Sequence, residues 1–92
     1  MVYVDDYLKR SQVGRINACW SHMFADSEDE LLRFADDLGL KRQWIQRKRW
    51  FTHYDVVARI RAEAIRRGAV AVKWPTDVKK WLKRKKAQCN LA

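Results

Sequence analysis

Apolar positions come in short runs along this chain, and their spacing changes from run to run. Val2, Tyr3 and Val4 are β-branched or aromatic, which predicts a strand over residues 2–5. The stretch DDYLKRSQVGR is polar and carries Gly14, so it reads as a connection with a turn. Apolar residues return in INACWSHMF, predicting a second strand from Ile16 to near Ser21 or His22.

The period then lengthens. In SEDELLRFADDLG, Leu31, Phe34, Ala35 and Leu38 form one helical stripe. Ser27 and Glu30 have the spacing of a capping box, three acids sit at the positive helix end, and Gly39 supplies a left-handed stop. LKRQWIQRKRWF interleaves five basic residues with Trp44, Ile45, Trp50 and Phe51, and reads mostly as loop with room for a helical turn. A second helix is expected from Thr52 or His53 to Arg67, with Val56, Val57, Ile60 and Ala64 inward and Gly68 ending it. Thr52 and Asp55 have capping spacing at its start. AVAVKW at 69–74 predicts a third strand, which Pro75 breaks. Thr76 or Asp77 would cap a last, basic helix over about 77–87, with Val78, Trp81 and Leu82 inward and a frayed tail beyond.

The expected fold is therefore α/β (α+β), a single small domain over 1–92 in the order β-β-α-α-β-α. A short sheet of about three strands would be covered by helices. Apolar residues make up 48% of the 92, and five Trp, three Tyr and three Phe help a small core reach stability. No apolar run approaches the roughly 20 residues that span a bilayer, which argues against a membrane partner. MVYVDDYLKR lacks the basic-then-apolar pattern of a signal peptide, so a cytoplasmic setting is expected. Cys19 and Cys89 have no metal or redox spacing, and Cys19 reads as a small buried hydrophobe.

The formal net charge is +9 and the pI about 10.0, which changes the picture. Charge of this sign and clustering favours a polyanionic partner, nucleic acid or a nucleotide. Arg42, Arg47, Lys48 and Arg49 sit among aromatic residues, the arrangement that holds single strands through phosphates and bases. Lys79, Lys80, Lys83 and Arg84 on the last helix could lie along a phosphate backbone.

The ordered motifs VYVDD, SHMFAD, DELLRFA, HYD and GAVAV cover nearly the whole chain. In that order they resemble a small bacterial and phage family known only as a domain of unknown function. The resemblance implies a polar pattern of Asp5 or Asp6, Ser21, His22, Asp26, His53, Tyr54 and Asp55. It implies no activity. The basic stretch QRKRWFT before HYD departs from shorter members.

The two histidines, His22 and His53, both lie beside expected element ends, and Asp5 and Asp6 end the first strand. If these rims coincide, Asp5, Asp6, His22, His53 and Asp55 are candidates for acid–base work, with Ser21, His22, Asp26, His53 and Tyr54 lining a pocket. Asp6, His22 and His53 are candidate ligands for a divalent metal, a cofactor that such a cluster could hold. The plainer alternative is that HYD only caps a helix and packs. The leading expectation is an accessory protein binding nucleic acid or a nucleotide phosphate through the basic loop and the His/Asp pocket. The alternatives are a small metal-dependent phosphoester hydrolase or nuclease, and a phage inhibitor docked on a host nucleic-acid enzyme.

Overall fold

The computed structural model describes residues 1–90. The elements are β1 (Val2–Val4), β2 (Lys9–Val13), β3 (Ile16–Ala25), α1 (Glu28–Asp37), β4 (Gln46–Lys48), β5 (Phe51–Val57), α2 (Ala58–Arg66), β6 (Val70–Ala71) and α3 (Thr76–Asn90). One turn of 3-10 helix spans Arg42–Trp44. The chain folds as one compact mixed α+β domain. β4, β5, β3, β1 and β6 lie side by side in that order, and β2 also pairs with β3, giving six strands rather than about three. Only the β1–β6 pair is parallel.

Three departures from the expected elements enlarge the sheet. The polar connection at 9–13 is strand β2: it is exposed throughout, so no burial pattern marks it, and the Gly14 turn (φ 60) lays it against β3. The basic loop contains β4, paired with β5. The largest correction concerns HYD, which does not begin a helix. Phe51–Val57 is a strand between β3 and β4, and the helix starts only at Ala58. Seven residues rich in aromatic and β-branched side chains gain two ladders of backbone hydrogen bonds, which outweighs one capping pattern. The third strand shrinks to Val70–Ala71, and α3 runs to Asn90, past its expected end. Residues 91–92 of the expected frayed tail lie outside the described residues. Cys19 is partly exposed on the β2–β3 ribbon rather than buried.

Alternation along the strands sorts side chains onto two faces. Val2, Val4, Met23, Ala25, Tyr54 and Val56 pack beneath Leu31 and Ala35 of α1 and Ala64 of α2. Tyr3, Phe24 and Phe51 face the other way, beneath Val78 and Trp81 of α3. The inward stripe expected for the last helix, Val78, Trp81 and Leu82, makes this second cluster.

Ser27 caps α1 as its spacing predicts, accepting from the Glu30 N–H at 3.3 Å. The reciprocal half of the box is absent, because the Glu30 carboxylate pairs with the Met1 ammonium. Ser27→Ala is therefore expected to cost about 1 kcal/mol, read as a lowered denaturation midpoint with the m-value unchanged.

One irregularity positions the site. Val4 faces Met23 and Lys9 faces Trp20, so residues 5–8 oppose only residues 21–22. The surplus chain bulges, and Leu8 takes a left-handed backbone (φ 47) that costs a non-glycine residue energy. Asp5 and Ser21 hold the bulge. Asp5 Oδ1 accepts from the Tyr7 and His22 N–H groups at 3.1 and 3.0 Å, and Ser21 Oγ accepts from the Leu8 N–H at 3.2 Å.

Candidate metal centre

His22 on β3 and Asp55 on β5 are cross-strand partners. With His53, two residues before Asp55, they project from the sheet face that carries α3. α3 covers the Phe24–Phe51 half of that face and leaves these three beside it. One ligand atom from each of His22, His53 and Asp55 lies within 4.8 Å of the other two.

Each histidine is fixed through Nδ1. His22 Nδ1 lies 2.6 Å from Oδ2 of Asp5, a carboxylate with no exposed surface. His53 Nδ1 lies 3.0 Å from the Phe51 carbonyl oxygen. A carbonyl can only accept, so that nitrogen carries the hydrogen. A carboxylate likewise accepts, so the Asp5 bond takes the His22 Nδ1–H, and each Nε2 is the nitrogen turned to the site, free to hold a proton or a metal. His53 Nε2 faces Asp55 Oδ1 at 3.3 Å. A bare imidazole nitrogen and a carboxylate oxygen repel unless a cation lies between or beside them, a proton or a metal. Gln46 Nε2 donates to Asp55 Oδ2 and holds the carboxylate from the other side.

Aromatic rings enclose the imidazoles. Tyr7 stacks on His22 at 5.1 Å, Trp74 packs on it at 4.9 Å, and Phe51 stacks on His53 at 4.6 Å. The rings pack against the imidazoles and hinder their turning. Asp55 stays accessible, with about a quarter of its side chain exposed (24%). Its carboxyl is held below its ordinary value, first by the hydrogen bond from His53, then by the positive charge of both histidines and the Gln46 bond, against the opposing effect of burial. A depressed value means that the folded state keeps this carboxylate ionised where the unfolded chain would protonate it. The contribution is full above the ordinary value of 3.8 and is lost as pH falls through the depressed one. Asp55→Asn should flatten the fall of the thermal midpoint below about pH 4, measured by circular dichroism.

The structure brings together Asp5, His22, His53 and Asp55 from the residues singled out by sequence. Asp6 does not join as a ligand: its carboxylate accepts the Trp74 N–H at 2.6 Å and ties down the segment before α3. Tyr54 lies on the opposite face, under burial that raises its hydroxyl pKa, and among the described residues that hydroxyl has no hydrogen-bond partner. Ser21 is spent on the bulge. Asp26 follows the last residue of β3 and is taken up by other groups, accepting from Tyr3 Oη at 3.1 Å and Trp81 Nε1 at 3.0 Å. Burial opposes its ionisation, yet those bonds and the Met1 ammonium hold its carboxyl below the ordinary value. Gln46, Tyr7 and Trp74 were not marked by the sequence. Their only signal is tertiary, since each comes from a different loop or edge.

The basic residues divide. Arg47 is bound to Glu28 at 2.9 Å and Arg42 to Asp36 at 2.8 Å, so both are engaged by α1. Lys48, Arg49, Lys79, Lys80, Lys83 and Arg84 are exposed and outside any ion pair among the described residues. A cavity of about 610 Å³ lies under α3, floored by Tyr3, Phe24 and Trp81, but it contains none of the three cluster residues.

These features define a small α+β domain, helices on both sides of a mixed sheet, with a two-histidine, one-carboxylate cluster on an open half-face. The chain belongs to the family described as protein of unknown function (DUF4031), whose model matches residues 2–85. No curated protein and no solved structure matches it. Among the described residues no helix is long and apolar enough to cross a membrane.

Proposed function

We propose that this protein is a small metal-dependent phosphoester hydrolase in which His22, His53 and Asp55 hold one divalent transition metal. The observation that carries the reading is the geometry at Nδ1. Both histidines spend that nitrogen on a fixed acceptor, Asp5 or the Phe51 carbonyl, and offer Nε2 to the space that Asp55 shares. Second-partner anchoring of this kind orients metal-binding imidazoles and raises their basicity. Two imidazoles and one carboxylate suit Zn²⁺, Mn²⁺, Fe²⁺ or Co²⁺, and three protein ligands leave positions open for water and substrate.

The chemistry follows from the charge. A divalent ion held by His22, His53 and Asp55 would supply Lewis-acid chemistry, making a bound water more acidic and drawing charge from a phosphoryl oxygen during ester hydrolysis. The exposed cations of α3, Lys79, Lys80, Lys83 and Arg84, raise the local concentration of an anionic phosphoester. Trp74 against His22 places the site just ahead of α3, which begins at Thr76. A second reading, binding of nucleic acid without catalysis, is favoured by those same cations together with Arg49 stacked over Trp50 at 5.4 Å.

The test is turnover of bis(p-nitrophenyl) phosphate by protein loaded in turn with each of the four metals. Metal-dependent release of nitrophenolate that disappears in His22→Ala supports the hydrolase. An inert wild type with every metal, together with strongly salt-dependent binding of DNA or RNA, would favour the binding reading.

A further inference from the structure

Asp55 is not enclosed by the histidines alone. It also forms part of the wall of a cavity of about 400 Å³ shared with Arg15, Ile16, Trp20, Trp44 and Gln46. An adjoining cavity of about 340 Å³ includes Ile16, Trp20, Trp44 and Asp55 again and extends to Arg59. The two make one groove across the end of β5, where β4 has stopped pairing and the β2–β3 ribbon continues alone. Its volume falls in the range of roughly 300–1,000 Å³ typical of small-ligand sites.

The groove is built from aromatic walls with a cation at each end. Trp44 leaves 50% of its surface exposed and Ile16 leaves 55%, so neither is there to complete the core. The Trp20 ring is held by its Nε1–H to the Ser11 carbonyl at 2.9 Å, so that wall is already formed. Lys41 sits over the Trp44 ring at 5.6 Å, and half of the Trp44 surface stays exposed beside it. Gln46 spends its Nε2 on Asp55 and keeps Oε1 as an acceptor. Arg15 and Arg59, toward opposite ends, form no ion pair among the described residues.

We infer that this groove binds the base of a nucleoside phosphate against Trp20 and Trp44 and directs its phosphate to the metal at Asp55. Indole faces stack any base, guanidinium groups pair with phosphate oxygens, and the Gln46 oxygen offers an acceptor to a base edge. The phosphate end of this assignment rests on the metal reading above; the base end does not. A free nucleotide and the end of a single strand present the same chemistry here.

The experiment is calorimetric titration of Mn²⁺-loaded protein with thymidine 5′-monophosphate, ribose 5-phosphate and a short oligothymidylate. Wild type is compared with Trp44→Ala, and each titration is repeated without metal. The expected result is a preference of about tenfold or more for the nucleotide over ribose 5-phosphate, lost in Trp44→Ala, as for one base–indole stack. Mn²⁺ affinity should be unchanged in that variant, which shows that the fold and metal site are intact. Tighter binding of the oligothymidylate identifies a strand as the source and equal binding a free nucleotide; both support base stacking in the groove. Equal affinity for nucleotide and ribose 5-phosphate, or a preference that survives Trp44→Ala, overturns the assignment and leaves the metal site standing. A Trp44-dependent preference in protein that binds no metal supports the groove and instead removes the metal reading.

Discussion

Asp5→Asn should leave the domain folded and weaken metal binding by about 10- to 100-fold, the usual consequence of losing a ligand's orienting partner. The reason lies in which oxygen does what. Oδ1 accepts two backbone N–H groups, from Tyr7 and His22, so an Asn side chain keeps its carbonyl oxygen there. Its amide nitrogen then replaces Oδ2 opposite His22 Nδ1. Two N–H groups cannot face each other at 2.6 Å, so His22 must bond through an unprotonated Nδ1 and carry its hydrogen on Nε2. A protonated Nε2 is no ligand. The substitution thus separates tautomer from fold.

Asp5→Ala would do both kinds of damage. It leaves the Tyr7 and His22 amides and the His22 ring without their acceptor in a position with no exposed surface. At about 1–3 kcal/mol for each stranded polar group, a loss of at least roughly 3 kcal/mol is expected in chemical denaturation. That is a large share of the 5–15 kcal/mol typical of small domains. If Asp5→Asn binds metal as tightly as wild type, the assignment of Nε2 to the site is wrong.

His53→Ala carries the second large effect. It deletes a proposed ligand rather than its support, so metal affinity should fall by more than the roughly 100-fold upper range of an orienting partner. Affinity in wild type should also weaken as pH is lowered, because protons compete with the metal for both imidazoles. In the metal-free protein His53→Ala should raise the Asp55 pKa, since the hydrogen bond from His53 is the largest influence depressing it. NMR titration of the Asp55 carboxyl carbon reads this directly. An unmoved Asp55 would show that the 3.3 Å contact carries no charge interaction.

Much of this fold could be read before any coordinates. α1 announces itself through the Ser27 cap, the acids that follow it and the Leu31–Ala35 stripe. α3 does so through Val78 and Trp81, and β1 through VYV. These are local signals, and their residues bury what their spacing says they bury. β2 gives no such signal, because KRSQV is exposed on every side and exists only as the partner of β3. FTHYDVV misleads because two readings compete in seven residues. Thr52 and Asp55 match a helix cap, while Phe51, His53 and Asp55 alternate with Thr52, Tyr54 and Val56 as a strand requires. The alternation was the better signal, and the observed burial follows it: Tyr54 and Val56 are nearly inaccessible on the core face.

The candidate site was half legible. Two histidines among acids could be singled out by residue type. That His22 would pair with Asp5 rather than Asp6 depends on a four-against-two bulge in the β1–β3 register, which no local pattern encodes. Arg42 and Arg47 look like phosphate grips in sequence, yet α1 presents Asp36 and Glu28 to them.

The most direct measurement is a calorimetric titration of metal-stripped protein with Mn²⁺ and Zn²⁺, in wild type and Asp55→Asn. The expected result is one site per chain in wild type and loss of that site in the variant, with both proteins folded by circular dichroism. No binding of either ion by wild type, or binding that Asp55→Asn leaves unchanged, would contradict it.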